Sequence, residues 1–425
     1  MRIQDVSRSV RFSVASLLAA IALGGLPACT TTPAPPASPA AESTRGPVIY
    51  VMIDGFRNDY IDRGITPALS ALAANGVRTQ GMRPSTPSVS SPNHYTLVTG
   101  LLPDHHGMVD NTFFDAGLGM FGVNQAANRN PKFWEGGTPI WITAQRQGVR
   151  TGVVNWGGSD VPIQGTTATY FAQRQPSLTN PQRVDQLLAW LDLPESERPG
   201  LYLLYFSSVD TAGHLNGPDS PKTNEAIAEA DAAIARLMAG LEARGVDSSA
   251  NIVVVADHGM TPISTVERLI PLDKLVDVNA VQDTSYGATL GVNPKPGREA
   301  EVEKALLGKR DHLECWRKAE LPARLRYGNH PRVPAIFCLV EPGWTVGTPL
   351  AASRFPVNFF GNHGFDPELP DMAAVFIARG PAFKRGVTIP VFDNIHVYPL
   401  VLHVLGIKPE AVDGDLSVLR PALAE

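Results

Sequence analysis

Three stretches of the chain read as unbroken apolar runs that stop at or shortly before an acidic residue. Val48-Ile49-Tyr50-Val51-Met52-Ile53 runs into Asp54-Gly55, Leu201-Tyr202-Leu203-Leu204-Tyr205-Phe206 ends just ahead of Asp210, and Ile252-Val253-Val254-Val255-Ala256 meets Asp257-His258. An apolar run without polar alternation is how a strand covered on both faces reads. A fourth run, Met372 to Ala378, repeats the pattern near the C-terminus. Between the runs the period changes: Ile227, Ala230, Ile234, Leu237, Met238 and Leu241 share one helical face ahead of Gly245, which predicts an amphipathic helix and its stop. Strands alternating with helices predict an α/β fold with a largely parallel sheet covered on both sides. Ligands of such sheets gather beyond the carboxyl ends of the strands, where the three aspartates are expected. From 261 to 347 charge and proline increase, with a helical stretch from Arg298 to Leu307 and two cysteines nearby. This segment is expected to be a smaller subdomain inserted into one catalytic domain spanning 47–425.

The N-terminal pattern predicts no fold at all. Arg2, Arg8 and Arg11 precede the apolar run Val14 to Leu26, which is too short to span a bilayer comfortably, so residues 1–28 are expected to be an export signal. Leu26-Pro27-Ala28-Cys29 resembles a bacterial lipoprotein cleavage box; an ordinary cleaved signal with an incidental cysteine is the alternative. Residues 29–46, rich in Pro, Ala, Ser and Thr, read as a tether. The expected location is the periplasm, with Cys29 as the candidate lipid anchor and the only expected membrane contact. Export implies an oxidising compartment, where Cys315 and Cys338 either pair or remain buried thiols.

Composition narrows the partners. The 425 residues are 44% hydrophobic with a formal net charge of −5, an ordinary globular balance that gives no broad basis for binding a nucleic-acid polymer. An anionic substrate must therefore be attracted locally. Five patches can supply that attraction: Asp54-Gly55, Ser90-Ser91-Pro92-Asn93-His94, Asp210-Thr211-Ala212-Gly213-His214, Asp257-His258-Gly259-Met260 and Asn362-His363-Gly364-Phe365-Asp366. Carboxylates and imidazoles without thiolates suit zinc, and so many ligands call for two ions. Three aspartates against two divalent cations leave a locally positive site. Ser85, Ser88, Ser90 and Ser91 each read as a turn or cap residue; the surrounding motifs single out Ser90. There Ser91 is expected to cap a helix with Pro92 in its first turn, which would place the Ser90 hydroxyl at a helix N-terminus. His94, His105, His106, His396 and His403 are read as structural.

Taken together, Val51-Met52-Ile53-Asp54-Gly55, Pro92-Asn93-His94-Tyr95-Thr96-Leu97-Val98-Thr99-Gly100, His106-Gly107 followed by Asn111, Asp210-Thr211-Ala212-Gly213-His214, Asp257-His258-Gly259-Met260 and Asn362-His363-Gly364 resemble the nucleotide pyrophosphatase/phosphodiesterase family of the alkaline phosphatase superfamily, here as a bacterial exported member. The resemblance covers essentially everything from Pro47 onward. It implies a three-layer α/β/α fold and two zinc ions per chain, one on Asp210, His214 and His363, the other on Asp54, Asp257, His258 and the Ser90 oxygen. It implies Ser90 as nucleophile, Asn111 as donor to a phosphoryl oxygen, and a small phosphate diester or nucleotide as substrate. A phosphomonoester or a phospholipid headgroup diester such as glycerophosphocholine is the alternative. Ser90 stands where most members carry threonine. Ser91 stands where an aromatic residue usually lines the nucleobase pocket, leaving Tyr205 as an aromatic wall or a core strand residue. A sulfatase is disfavoured because none of the three cysteines lies in a Cys-x-Pro-x-Arg signature. A noncatalytic binding module would be expected to have lost ligands that are all present.

Overall fold

The computed structural model describes residues 46–123, 126–172, 178–348 and 359–424. The expected signal segment, Cys29 and nearly all of the tether lie outside the described residues. The apolar runs form the middle of an eight-stranded sheet. Val48–Ile53 is flanked by Leu201–Phe206 on one side and Asn251–Val255 on the other, both parallel to it, with Val51 opposite Leu204 and Val254. All six residues of the central strand are fully buried, which is why no polar alternation marks it. Thr151–Val154 and Tyr170–Ala172 extend the sheet beyond Leu201–Phe206; Phe376–Arg379, Val77–Thr79 and Val387–Ile389 extend it beyond Asn251–Val255.

The fourth apolar run departs from expectation. Pro370–Met372 is a 3-10 turn, and the strand proper, Phe376–Arg379, runs antiparallel to Asn251–Val255, with Phe376 opposite Val255. Its beginning, not its end, therefore lies at the edge where the aspartates collect. Apolar periodicity carries burial but no direction, so the reversal has no trace in the pattern.

Helices Ser90–Thr99, Ile140–Arg146 and Val397–Leu405 pack together on one side of the sheet, and Pro67–Ala74, Asn180–Leu191 and Pro221–Glu242 on the other, giving the three-layer α/β/α arrangement. The last of these is the amphipathic helix read from the sequence. Ser220 accepts from the Thr223 N–H at its start and Pro221 takes its first position, the usual entry chemistry. Gly245, with φ +65°, turns the chain away just after its end.

Within 261–347 the chain forms a five-stranded antiparallel sheet ordered Val281–Tyr286, Thr289–Pro294, Ile336–Val340, Leu313–Arg317 and Gly308–Arg310. A second apolar cluster sits under it, including Leu290, Val292, Val302 and Leu306, and it takes in Phe365 and Met372 from the returning chain. Cys315 and Cys338 are directly paired across two strands and joined by a disulfide. Among the described residues no helix is long and apolar enough to cross a membrane.

Candidate active site

Because the three central strands are parallel and in register, their carboxyl ends deliver side chains to one place. Asp54 follows Val48–Ile53 directly, and Asp257-His258 follow Asn251–Val255. Asp210 lies on the helix Ser208–Asn216 that leaves Leu201–Phe206, with His214 one turn later on the same face. His363 arrives from the far end of the chain through a short antiparallel pairing in which Asn362 meets Thr261. The close approach of Asp54 and Asp210 depends on Gly55: its φ is +67°, and a Cβ there would stand 2.9 Å from the Asp210 Cα.

The geometry of the imidazoles is informative. His214 Nδ1–H donates to the Gly361 carbonyl (2.9 Å) and His363 Nδ1–H to that of Ser88 (3.2 Å), so both Nε2 lone pairs point inward, 3.1 Å apart. Asp210 Oδ1 lies 3.4 Å from the first and 3.5 Å from the second. Facing lone pairs repel unless a cation sits between them. His258 follows the same grammar: Nδ1–H donates to the Gly259 carbonyl (2.9 Å), and Nε2 faces the Ser90 hydroxyl (3.2 Å), Asp257 Oδ2 (3.2 Å) and Asp54 Oδ1 (3.6 Å). Asp54 Oδ1 and Asp210 Oδ1 are buried with no hydrogen-bond partner, an expensive arrangement that calls for a ligand. Asp210, His214 and His363 form one group able to hold a metal ion; Asp54 joins Asp210 and His258 in a second, and His94 and Asp257 in a third. The residue set fits divalent cations.

Charge in this closed space is strongly coupled. Burial opposes charge on His258, but Asp257 and Asp54 outweigh it and raise its pKa to about 10, so a proton and a divalent cation would compete for its Nε2. Burial raises Asp210 to about 6 against the pull of His214. Asp257 is buried too, yet His258 and His94 hold it well below the usual carboxylate range. Burial pushes His363 well down, with His258 and His214 adding to the effect, so it stays neutral and keeps its lone pair.

Ser90 is the first residue of helix Ser90–Thr99, two positions earlier than a cap at Ser91 implies, and Ser91 is not its cap. The residue before the helix is Val89, in extended conformation and offering no side-chain acceptor. The exposed amide of the first turn is satisfied from elsewhere: Ser91 N–H donates to Asn111 Oδ1 (2.7 Å). That bond fixes the Asn111 carboxamide beside Ser90 and leaves its NH2 as the donor end. Ser91 itself is buried. Tyr205 is half-buried; its hydroxyl donates to Asp54 Oδ2, and its ring stands edge-on to His94 at 5.2 Å.

Of the histidines read as structural, His105 pairs with Asp413 at the surface and His106 is buried beside Thr96. His396 accepts from the Asp415 N–H at the head of the last helix. His94, by contrast, lies inside the site: its Nε2 is 2.9 Å from Asp257 Oδ2 and 3.4 Å from Asp54 Oδ2. Its position four residues after Ser90 on one helix was the available signal, because i and i+4 share a helical face. Phe359, 40% exposed, is a further rim residue, edge-on to His214 at 5.7 Å; nothing in its sequence context pointed to the site.

Residues 48–366 match the family model described as type I phosphodiesterase / nucleotide pyrophosphatase. The chain belongs to that family. An uncharacterized pyrophosphatase/phosphodiesterase of Schizosaccharomyces pombe is 36% identical over 88% of this chain and 80% of its own length. Bovine ectonucleotide pyrophosphatase/phosphodiesterase family member 3 is 34% identical over 89% of this chain. The chain spans less than half, 44%, of that bovine relative. Among solved structures, murine ectonucleotide pyrophosphatase/phosphodiesterase 5, in an inactive variant bound to AMP, superimposes with a TM-score of 0.85 at 32% identity, covering 89% of this chain and all of that one. This member is thus an enzyme of the phosphodiesterase and nucleotide pyrophosphatase class, with an alkaline-phosphatase-like fold and Asp/His clusters fit for metal.

Proposed function

We propose that this family member is a two-zinc hydrolase that cleaves phosphate diester or pyrophosphate bonds of small molecules such as nucleotides through a phosphoryl-Ser90 intermediate. The observation that carries the reading is the convergence of inward-facing Nε2 lone pairs and unpartnered carboxylate oxygens on a space bordered by the Ser90 hydroxyl. Asp210, His214 and His363 would hold one zinc; Asp54, Asp257, His258 and the Ser90 oxygen the other. Bound there, divalent cations supply Lewis acidity, easing ionisation of a hydroxyl and offsetting charge on attacking and leaving oxygens.

The chain's own residues do the positioning. Ser90, on the first turn of its helix, presents Oγ for attack in line with the leaving group while the positive helix end faces the phosphoryl oxygens. The Oγ–P bond forms as the bond to the leaving oxygen breaks. Asn111, held through Oδ1 by the Ser91 amide, turns its NH2 toward a non-bridging oxygen. Water then cleaves the seryl ester and restores the hydroxyl. Tyr205 and Ser91 border the substrate side, and the buried, small Ser91 gives a nucleobase little to stack on. The segments 1–28 and 29–46 support an exported, periplasmic bacterial enzyme tethered through Cys29, with 47–425 as its catalytic domain.

Turnover of bis-p-nitrophenyl phosphate against p-nitrophenyl phosphate tests the reading. A higher kcat/KM for the diester is expected. A clear preference for the monoester overturns the diesterase assignment in favour of a phosphomonoesterase on the same scaffold.

A further inference from the structure

His94 is the one buried histidine at this site that the reaction as described does not use. It sits one turn into helix Ser90–Thr99, and its Nε2 reaches two carboxylates from the ends of adjacent strands: Asp257 Oδ2 at 2.9 Å and Asp54 Oδ2 at 3.4 Å. The Tyr205 hydroxyl donates to the same Asp54 oxygen. The other Asp54 oxygen, Oδ1, has no hydrogen-bond partner and faces His258 Nε2 at 3.6 Å. Asp54 is therefore gripped from one side and presented on the other. Asp257 Oδ1 is likewise fixed, accepting from the Gly55 and His258 backbone N–H groups at 3.1 Å each.

We propose that His94 is a positioning residue for one cation site, donating its Nε2–H to Asp257 and Asp54 and so holding both carboxylates, and the helix that carries Ser90, in one arrangement. The inference rests on the cation-binding reading above. At Asp54, His94 lies on the Oδ2 side together with Tyr205 while His258 and Ser90 lie on the Oδ1 side; at Asp257 both imidazoles approach Oδ2, so it is the Asp54 geometry that sets His94 apart as a holder of carboxylates and not a ligand. The ring cannot swing to another role. Tyr205 packs against it edge-on, the Trp156 ring is 6.4 Å away, and Trp156 Nε1–H donates to the His94 carbonyl at 3.3 Å. Hydrogen bonds of this kind to ligating carboxylates set their orientation, and losing one weakens metal affinity about 10- to 100-fold.

The test uses the full-length protein, wild type, His94→Ala and His94→Gln, with zinc and cobalt as probes. Affinities come from chelator competition, and the visible spectrum of the cobalt form is recorded at saturation. The expected result is affinity about 10- to 100-fold weaker in His94→Ala, largely restored in His94→Gln, whose amide also donates, with the saturated cobalt spectrum unchanged in both. Wild-type affinity in His94→Ala overturns the proposal. So does a changed spectrum at saturation, which would make His94 a ligand. A wild-type protein that binds neither metal instead sinks the underlying cation reading, so the two failures are distinguishable. If His94→Ala does not fold, His94→Phe, which keeps a ring but has no donor, takes its place, with the same loss expected and wild-type affinity overturning the proposal.

Discussion

At the scale of single residues, the functional weight falls on atoms whose partners are missing or shared. Ser90 Oγ has a neighbour in His258 Nε2, but a serine hydroxyl is a poor nucleophile without activation. Ser90→Ala is expected to lower turnover by about 10³-fold or more while leaving metal content unchanged, since each site keeps three protein ligands; kinetics alongside elemental analysis measures both. Unimpaired turnover would remove Ser90 from the chemistry. His106 illustrates the opposite case, a histidine whose partners are complete. Its Nδ1 accepts from the Met108 N–H at 3.1 Å, so Nε2 carries the proton toward Thr96 Oγ1 at 3.0 Å. Burial lowers its pKa from 6.5 to about 3. A depressed folded pKa stabilises above the unfolded value and is lost as pH falls toward the folded one. Between pH 6.5 and pH 5 the loss amounts to about 2 kcal/mol. Urea unfolding at pH 7 and pH 5 is expected to show that loss in the wild type and a smaller one in His106→Gln; equal pH dependence in the two would rule His106 out.

At the scale of elements, the site is made by where strands stop. The apolar runs and the acidic residues ending them were legible because full burial removes polar residues from a central strand and a loop then readmits them. The direction of Phe376–Arg379 was not legible, since an antiparallel strand buried on both faces looks like a parallel one. The helix start was misplaced by two residues because its first-turn amide is satisfied by Asn111, 20 residues away, and local capping rules see only neighbours. Gly55 shows how tightly the elements meet. A side chain there would combine a left-handed φ of +67° with a contact of 2.9 Å to the Asp210 Cα. Gly55→Ala is expected to cost about 1–2 kcal/mol for the backbone conformation alone and to weaken metal binding by pushing Asp210 away from Asp54. Denaturant unfolding and chelator titration test both effects; unchanged values in both would mean the two strand ends are not held against each other.

At the scale of the molecule, the chain gathers residues from position 54 to position 363 around one space. The acids and histidines that gather here were readable because they cluster in short motifs. The third dimension was not: that His94 reaches Asp54 and Asp257, and that Phe359 lies beside His214, follows from packing between segments distant in sequence. The pairing of Cys315 with Cys338, left open by the sequence, follows from their direct opposition on adjacent strands. The acid and histidine positions converge on a space fit to receive divalent cations. The most direct measurement is metal content and turnover of purified protein before and after chelation, with zinc then restored. Two equivalents of zinc in active protein, loss of turnover as they are removed, and recovery on their return are expected. Full turnover from protein that retains no bound divalent metal would contradict it.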